Sequence, residues 1–317
     1  MTLGRYIGLK LASGVPLLLG VTLVSFLLMV YFGPDKTFEL LGKNPTAEQI
    51  AEVREELGYD RPFIGRYVDY LASLGTLELG LSESTGEPVT RLLARTLPVS
   101  VAMVLPGFVL GNLAGILLGM AAAWNRGRWL DRLIMAGSVV GMSISFLVII
   151  IVLQVLLCTP WGLNWFPARG WEVHDLPSYL GYVTVPTLAL VVVTLGYNTR
   201  FYRAVLVEEL GRDHIRTALA YGASGAEILF RHALKNSMVP ILTRIMFSIP
   251  LVVVSGSLLI ETYFGIPGIG KATFEAITSG DQPVLKAVVG LTAVLFVLAQ
   301  ILIDIAYRIV DPRVAGP

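Results

Sequence analysis

The chain of 317 residues is 55% apolar and only 15% charged, with a mean hydropathy of +0.71, which excludes an ordinary soluble domain and places it among membrane proteins. A formal charge of +1 offers no clustered excess cation for a nucleic acid partner. The single cysteine, Cys158, and the scattered His174, His214 and His232 predict neither an internal disulfide nor a metal site.

Charge-poor apolar runs set the topology, because a helix needs about 20 apolar residues to cross the hydrocarbon core. The first run lies between Lys10 and Asp35. It is too long for a signal-peptide core and has no persuasive small-residue cleavage site, so it is predicted to be retained. The segment 35–95 follows. Within it, "NPTAEQIAEVREELGYD" places Thr46 as an N-cap with Gln49 three residues on, and Ile50, Val53 and Leu57 at helical spacing. "RPFIGRYVDYLASLG" predicts a second helix with Pro62 in its first turn and Phe63, Tyr67, Tyr70 and Leu71 apolar. This pair can serve as a packed lid or as a docking surface for an external protein.

The second span lies between Arg95 and Arg126, the third runs from after Arg132 to near Cys158, and the fourth covers roughly Gly181 to Arg200. A long inner segment of about 201–238 precedes the fifth span, roughly Val239 to Tyr263. The sixth covers roughly Leu285 to Arg308, with Arg244 and Asp304 near span ends, where charged groups are tolerable. The prediction is an all-α integral membrane protein of six transmembrane helices with a helical insertion between the first two, divided as 1–34, 35–95 and 96–317.

Lys and Arg bias in the short loops orients the chain. One side collects Arg5, Lys10, Arg126, Arg128, Arg132, the group from Arg200 to Arg244, Arg308 and Arg313, whereas the opposite short loops hold only Arg169, Lys271 and Lys286. Both termini are therefore predicted to be cytoplasmic. Segment 35–95 carries seven basic and eleven acidic residues, but a loop of this length crosses largely regardless of charge, and it is placed outside.

On that outer face lies "GIPGIGKAT", residues 265–273, which fits the phosphate-cradling pattern G-x-x-x-x-G-K-[ST] at every position but the last, Ala272. A cradle needs a strand, a turn and a helix start to aim its amides, and a hydroxyl for magnesium. The stretch instead follows an apolar span and is predicted to be a Gly/Pro-broken turn. Polar residues inside spans, Asn112, Ser143, Ser145, Gln154, Tyr197, Asn198, Ser255 and Ser257, mark faces turned to protein or water. Each is either an interhelical hydrogen-bonding group, beside small-residue contacts such as "GNLAG", or a group lining a substrate path. No catalytic set appears: HExxH and GxSxG are absent from the spans, and the adjacent Glu208 and Glu209 point in different directions.

The inner segment "VEELGRDHIRTALAYGASGAEILFRHALKNSMVPIL" is basic and helix-rich, interrupted at Gly222 and Gly225. Ile215, Ala218, Leu219 and Tyr221 provide an apolar or small-residue face, with Arg212, His214 and Arg216 polar. Such a helix can rest on lipid headgroups, but a glycine that permits a sharp turn or a close backbone approach favours a partner protein.

"DHIRTALAYG" and "RHALKNSMVP" resemble the cytoplasmic loop of ATP-binding-cassette importer permeases, in the form used by the dipeptide, oligopeptide and nickel branch. Gly222 falls at the motif's glycine, and His232, Ala233, Leu234, Lys235, Asn236 and Pro240 fall in its second half. "ELGYDRPFIGRYVDYL", "LELGLSESTGEPV", "ETYFGIPGIGK" and "DIAYRIVDPRV" are similar to further segments of that branch, in order along nearly the whole chain. Two positions depart from the general motif: its glutamate falls on Arg216 and its proline after leucine on Lys235. In "GMSISF", Ser145 replaces a proline common in relatives, which predicts a weaker kink.

The resemblance implies a type I importer permease fold in a bacterial cytoplasmic (inner) membrane. The implied partners are a second homologous permease, two cytoplasmic ATPase subunits that bind ATP and magnesium, and a periplasmic or extracellular solute-binding protein. This chain itself is expected to bind no cofactor or metal and to catalyse nothing. Coupling to the ATPase is implied at Asp213, Ile215, Arg216, Thr217, Ala218, Tyr221, Gly222 and His232, although Asp213 and Arg216 can equally be solvated surface charges. Di- or oligopeptides are the expected cargo. The alternatives are a nickel or metal-chelate importer and an ATP-independent secondary transporter, the latter disfavoured because the spans hold few central charges and no internal repeat.

Overall fold

The computed structural model describes residues 3–32, 37, 41, 45–56, 58–253 and 257–310. Among them the regular structure is helical, and the extended pairing consists of one isolated antiparallel bridge between Leu81 and Pro88. Helix α1 is Leu3–Phe32, apolar over Gly14–Leu28. The predicted cap opens α2, Ala47–Glu56: Gln49 N donates to Thr46 Oγ1 at 3.3 Å and Thr46 N donates to Gln49 Oε1 at 3.0 Å, satisfying two orphan amides reciprocally. Helix α3, Phe63–Thr76, starts directly after Pro62.

The long helix α4, Val89–Trp124, leads to α5, Trp129–Ser143, and α6, Phe146–Cys158. A second capping box, between Asp175 and Ser178, opens α7, Leu176–Leu210. Then come α8, Asp213–Ala220; a short turn, Gly225–Glu227; a π-helical segment, Ile228–Leu234; α9, Lys235–Leu251; α10, Ser257–Phe264; α11, Ile269–Ser279; and α12, Gln282–Val310.

Among the described residues, three helices are long and apolar enough to cross a membrane: α4, α7 and, over Gln282–Tyr307, α12. A fourth crossing is available if α5 and α6, which meet at 97°, are one broken span. The predicted fifth span corresponds to α9 and α10, on either side of residues 254–256, which lie outside the described residues.

The break between α5 and α6 corrects the expectation of a weakened kink. Ile144 (φ −85°, ψ 130°) and Ser145 (φ −58°, ψ 136°) are both extended, which ends one helix and restarts another. Ser145 takes the φ that a proline ring would impose, so the bend survives without the ring.

The chain divides into two compact units, one of Met1, Thr96–Lys271 and Leu298–Pro317, the other of Thr2–Arg95 and Ala272–Val297. In the first, α4 and α7 approach along a stripe of glycines one helical turn apart. A Cβ added to Gly107 would lie 2.8 Å from Leu190 Cβ, one on Gly111 2.2 Å from Thr194 Oγ1, and those on Gly115 and Gly119 3.0 Å from Asn198 Cβ and Tyr202 Cβ. Small residues at this spacing let backbones pack closely where lipid supplies no hydrophobic drive between helices. The small-residue contact read from "GNLAG" is thus present and extends beyond it.

In the second unit, Phe26 of α1 packs against Phe63, Tyr67 and Tyr70 of α3, with ring centroids 5.5, 5.7 and 5.4 Å away. Tyr70 Oη donates to Lys286 O at 3.0 Å. Asp281 accepts at Oδ2 from Ser82 Oγ (2.6 Å), Ser84 Oγ (2.8 Å) and Ser84 N (3.1 Å), which ties the 82–84 turn to the start of α12.

Candidate functional site

The segment between α7 and α9 is built around one buried carboxylate. Glu209, in the last turn of α7, is 4% exposed; its Oε2 lies 3.0 Å from Arg212 Nε and its Oε1 3.2 Å from His214 Nε2. His214 Nε2 is also 3.1 Å from Asn236 Nδ2 at the start of α9. Arg212 offsets this charge, while Oε1 accepts no hydrogen bond among the described residues. The cluster fixes α8 relative to both neighbouring helices.

On that base α8 stands out from the protein. Ile215 is its buried anchor at 3% exposure, whereas Leu219 and Tyr221 are 53% and 88% exposed, so the predicted apolar face divides into an inward and an outward part. Asp213 sits in the first turn, where its charge complements the helix dipole, and its Oδ1 accepts from Arg216 Nη1 at 3.3 Å. Both side chains are largely exposed, so this pair contributes little to stability. Thr217 Oγ1 donates back to Asp213 O at 3.1 Å, and Ala218 is half-buried.

Gly222 ends the helix at φ +86°: its N–H donates to Leu219 O at 3.0 Å, and Ala223 N–H donates to Ala218 O at 3.1 Å. This is the Schellman arrangement, with glycine at its left-handed position. An added Cβ would meet nothing within 4 Å, so conformation is the reason for this glycine, and close approach is not. Gly225 is the reverse case, since a Cβ there would lie 2.7 Å from the Trp124 ring. The half-buried His232 sits in the π-helical segment that leads into α9.

Deeper in the same unit, a polar relay links α4, α7 and α9. Asn112 Oδ1 accepts from Tyr202 Oη at 2.6 Å and from Asn198 Nδ2 at 3.1 Å. Asn198 Oδ1 in turn accepts from Arg244 Nε at 3.3 Å, and the Arg244 guanidinium lies 4.9 Å from the centroid of the Phe201 ring. Across α5 and α7, Arg203 forks onto Asp131, Nε to Oδ1 at 2.5 Å and Nη2 to Oδ2 at 2.7 Å. Gly127 N also donates to Asp131 Oδ2, at 2.9 Å.

The stretch that imitates a phosphate cradle holds a carboxylate of its own. The turn is confined to Gly265–Gly268, because α11 has begun by Ile269 and takes in Gly270 and Lys271. Glu261, fully buried in α10, receives Lys271 N–H on Oε2 at 3.0 Å. Amides at a helix start favour acidic groups, and here the acidic group is the chain's own.

Comparison with known proteins agrees with this construction. Residues 115–316 match the family described as binding-protein-dependent transport system inner membrane component, and residues 3–104 match its N-terminal companion. The chain belongs to this permease family. The "Dipeptide transport system permease protein DppB" of Bacillus subtilis (strain 168) is 31% identical over 316 residues, covering 98% of each chain. The "Probable peptide ABC transporter permease protein y4tP" of Sinorhizobium fredii (strain NBRC 101917 / NGR234) is 32% identical over 314 residues, 98% of this chain and 99% of the relative. A chain of the MetNI methionine ABC transporter, in an inward-facing conformation, shares the fold with a TM-score of 0.57 at 20% identity, over 71% of this chain and 99% of that one. This chain is accordingly a multi-pass membrane transport component with the type I importer permease fold.

Of the eight in-span polar residues proposed for the permease path, the structure brings Asn112 and Asn198 together. Ser143 Oγ donates to Val139 O at 2.8 Å and Ser257 Oγ to Val253 O at 2.7 Å, within their own helical turns, and Gln154 Nε2 donates to Ala168 O of the loop after α6 at 2.6 Å. Ser145 and Tyr197 are exposed, and Ser255 lies outside the described residues. Sequence reasoning missed Asp131, Arg203, Tyr202, Glu209 and Glu261. A signal existed for two of them: Tyr202, Leu206 and Glu209 follow one α7 stripe at helical spacing, all buried.

Proposed function

We propose that the chain is a transmembrane permease subunit of an ATP-driven importer of di- or oligopeptides. It forms half of the translocation path beside a second homologous permease and rides on two cytoplasmic ATPase subunits. ATP and magnesium bind those subunits, and a solute-binding protein delivers cargo from outside. In this reading six spans cross the inner membrane, segment 35–95 is periplasmic and both termini are cytoplasmic.

The observation that carries the reading is α8, a short exposed helix rooted through Ile215 and the Glu209 cluster and stopped at Gly222. Seated in a cleft of an ATPase, such a helix transmits rotation of that subunit to α7 and α9 as a rigid lever. Leu219 and Tyr221 supply its apolar contact, and Asp213 and Arg216 its charged rim. Peptides are favoured as cargo because the relatives reported above are named for peptides or dipeptides. The nickel or metal-chelate alternative has no such support, and a self-sufficient secondary transporter sits poorly with a binding-protein-dependent family.

Purification of the chain from its native membrane in mild detergent tests the reading, with wild type compared to Gly222→Arg. Co-purification of an ATPase and a second permease with wild type, and their loss or uncoupling in the variant, is expected. A chain recovered alone, under conditions that preserve comparable complexes, would refute it.

A further inference from the structure

Arg244 is a half-buried cation in the predicted fifth span, and no carboxylate among the described residues pairs with it. A half-buried charge on an apolar helix is expensive and is retained where it meets a counter-charge or a pathway. The described groups around the guanidinium are neutral. Nε is spent on Asn198 Oδ1, the Phe201 ring lies against the group, and Nη1 and Nη2 have no acceptor among the described residues.

The Asn198 oxygen is itself pre-set, because Asn198 Nδ2 is committed to Asn112 Oδ1. The relay therefore aims a rigid two-nitrogen fork whose geometry matches a carboxylate. The fork faces an open cleft of 640 Å³ lined by Phe201, Val239, Phe247 and Leu251, apolar apart from Thr243, Ser248 and Arg244. This volume is in the range that holds a small ligand, and the lining combines a greasy wall with one orienting charge.

We propose that the Arg244 fork receives the terminal carboxylate of a peptide in transit, so that the cleft is a transient cargo subsite within this half of the path. The proposal rests on the peptide-importer reading and adds to it a residue and the cargo group it recognises. A neutral relay of Asn112, Asn198 and Tyr202 behind the cation suits passage, since it orients the fork with uncharged groups. Asn112 and Asn198 are here positioning residues.

The test uses the intact importer, co-purified and reconstituted in liposomes, with its binding protein loaded with trialanine or with trialanine amide. Uptake is scored per loaded binding protein. Wild type should take up the free acid about tenfold faster than the amide, the effect of one charge-assisted hydrogen bond. Arg244→Gln should collapse the acid-to-amide ratio toward one, and Arg244→Lys, which keeps the charge but loses the fork, should restore it in part. A photo-reactive tripeptide acid should label α9 in wild type and not in Arg244→Gln.

A ratio insensitive to residue 244, or labelling of α9 that survives Arg244→Gln, overturns the subsite while leaving the importer intact. Equal slowing of acid and amide does the same and points to an acidic group of the neighbouring permease as the true partner. Absence of any ATP-driven peptide uptake by wild type overturns both the subsite and the peptide reading.

Discussion

A Cβ built on Gly268 would lie 2.4 Å from all three carboxyl atoms of Glu261, so this loop position is glycine because a buried carboxylate occupies the side-chain volume. The resemblance to a nucleotide cradle has the same physical origin. Glycine exposes amides and leaves room for an acidic group, and Glu261 supplies that group from within α10. Gly268→Ala is expected to force the carboxylate aside, costing about 1–3 kcal/mol as an overpacked core position. Glu261→Gln keeps the volume and an oxygen that can accept the Lys271 amide, and should lose less than Gly268→Ala. Thermal unfolding in detergent checks both, and an unshifted midpoint for Gly268→Ala would contradict the packing.

The glycine at residue 222 makes a different demand, because its left-handed φ matters and the space around it is open. A side chain in that conformation costs about 1 kcal/mol, and asparagine adopts it more readily than alanine. Gly222→Ala should therefore fray the end of α8 and reduce cargo-stimulated ATPase activity several-fold, while Gly222→Asn keeps most of it. Equal damage from both variants would show that bulk at this position decides, contrary to the open space around it.

Helices and caps were legible because they are local. The Thr46–Gln49 box depends on four consecutive residues, and "GNLAG" announces a close helix contact by spacing alone. The bend at Ile144–Ser145 was illegible because two extended backbone conformations, with no proline, produce it. Asp131 and Arg203, 72 residues apart, were illegible as a pair for another reason: charge near a span end reads as topology until α5 and α7 are seen side by side. The polar relay was half legible. Asn112 and Asn198 stand out by their type, whereas the Arg244 that completes their relay reads in sequence as a charge near a span end.

The α4 and α7 contact gives a graded prediction with an internal control. A side chain on Gly111 would start 2.2 Å from Thr194 Oγ1, whereas one on Gly137 of α5 meets nothing within 4 Å. Gly111→Val should lower stability by about 1–3 kcal/mol through overpacking, and Gly137→Val should change it far less. Detergent melting curves of the two variants side by side would expose an error if Gly137→Val were the more damaging.

Breaking the Asp131–Arg203 fork should be the most costly single change near the α5 start. Asp131 is 4% exposed and accepts both guanidinium bonds and the Gly127 amide. Asp131→Asn leaves Arg203 facing a neutral amide, a loss of about 3 kcal/mol for a buried pair with one partner removed. Asp131→Asn combined with Arg203→Gln should recover part of it, because no uncompensated charge remains. Additive losses in the double variant would indicate that the two residues do not act as a pair.

Asp281, just before α12, gives a pH dependence whose sign is fixed. Burial alone would raise its pKa, but hydrogen bonds from Ser82 and Ser84 outweigh that and hold the carboxyl below the ordinary carboxylate range. A group whose folded pKa is depressed contributes stability that is fully present above its unfolded value, about 3.9, and is lost as pH falls through the folded value. The 82–84 clamp should therefore hold at neutral and mildly acidic pH and loosen only in strong acid. Ser82→Ala removes the 2.6 Å bond to Asp281. It should cost about 1–2 kcal/mol at pH 7, with the gap to wild type narrowing as pH falls below the unfolded value and both carboxyls protonate. Made in an Asp281→Asn background, Ser82→Ala should show no such pH dependence, since that side chain has no proton to gain. A gap for Ser82→Ala that stays constant as pH is carried down through the carboxylate range into strong acid would mean that the serine packs against the turn without stabilising the carboxylate charge.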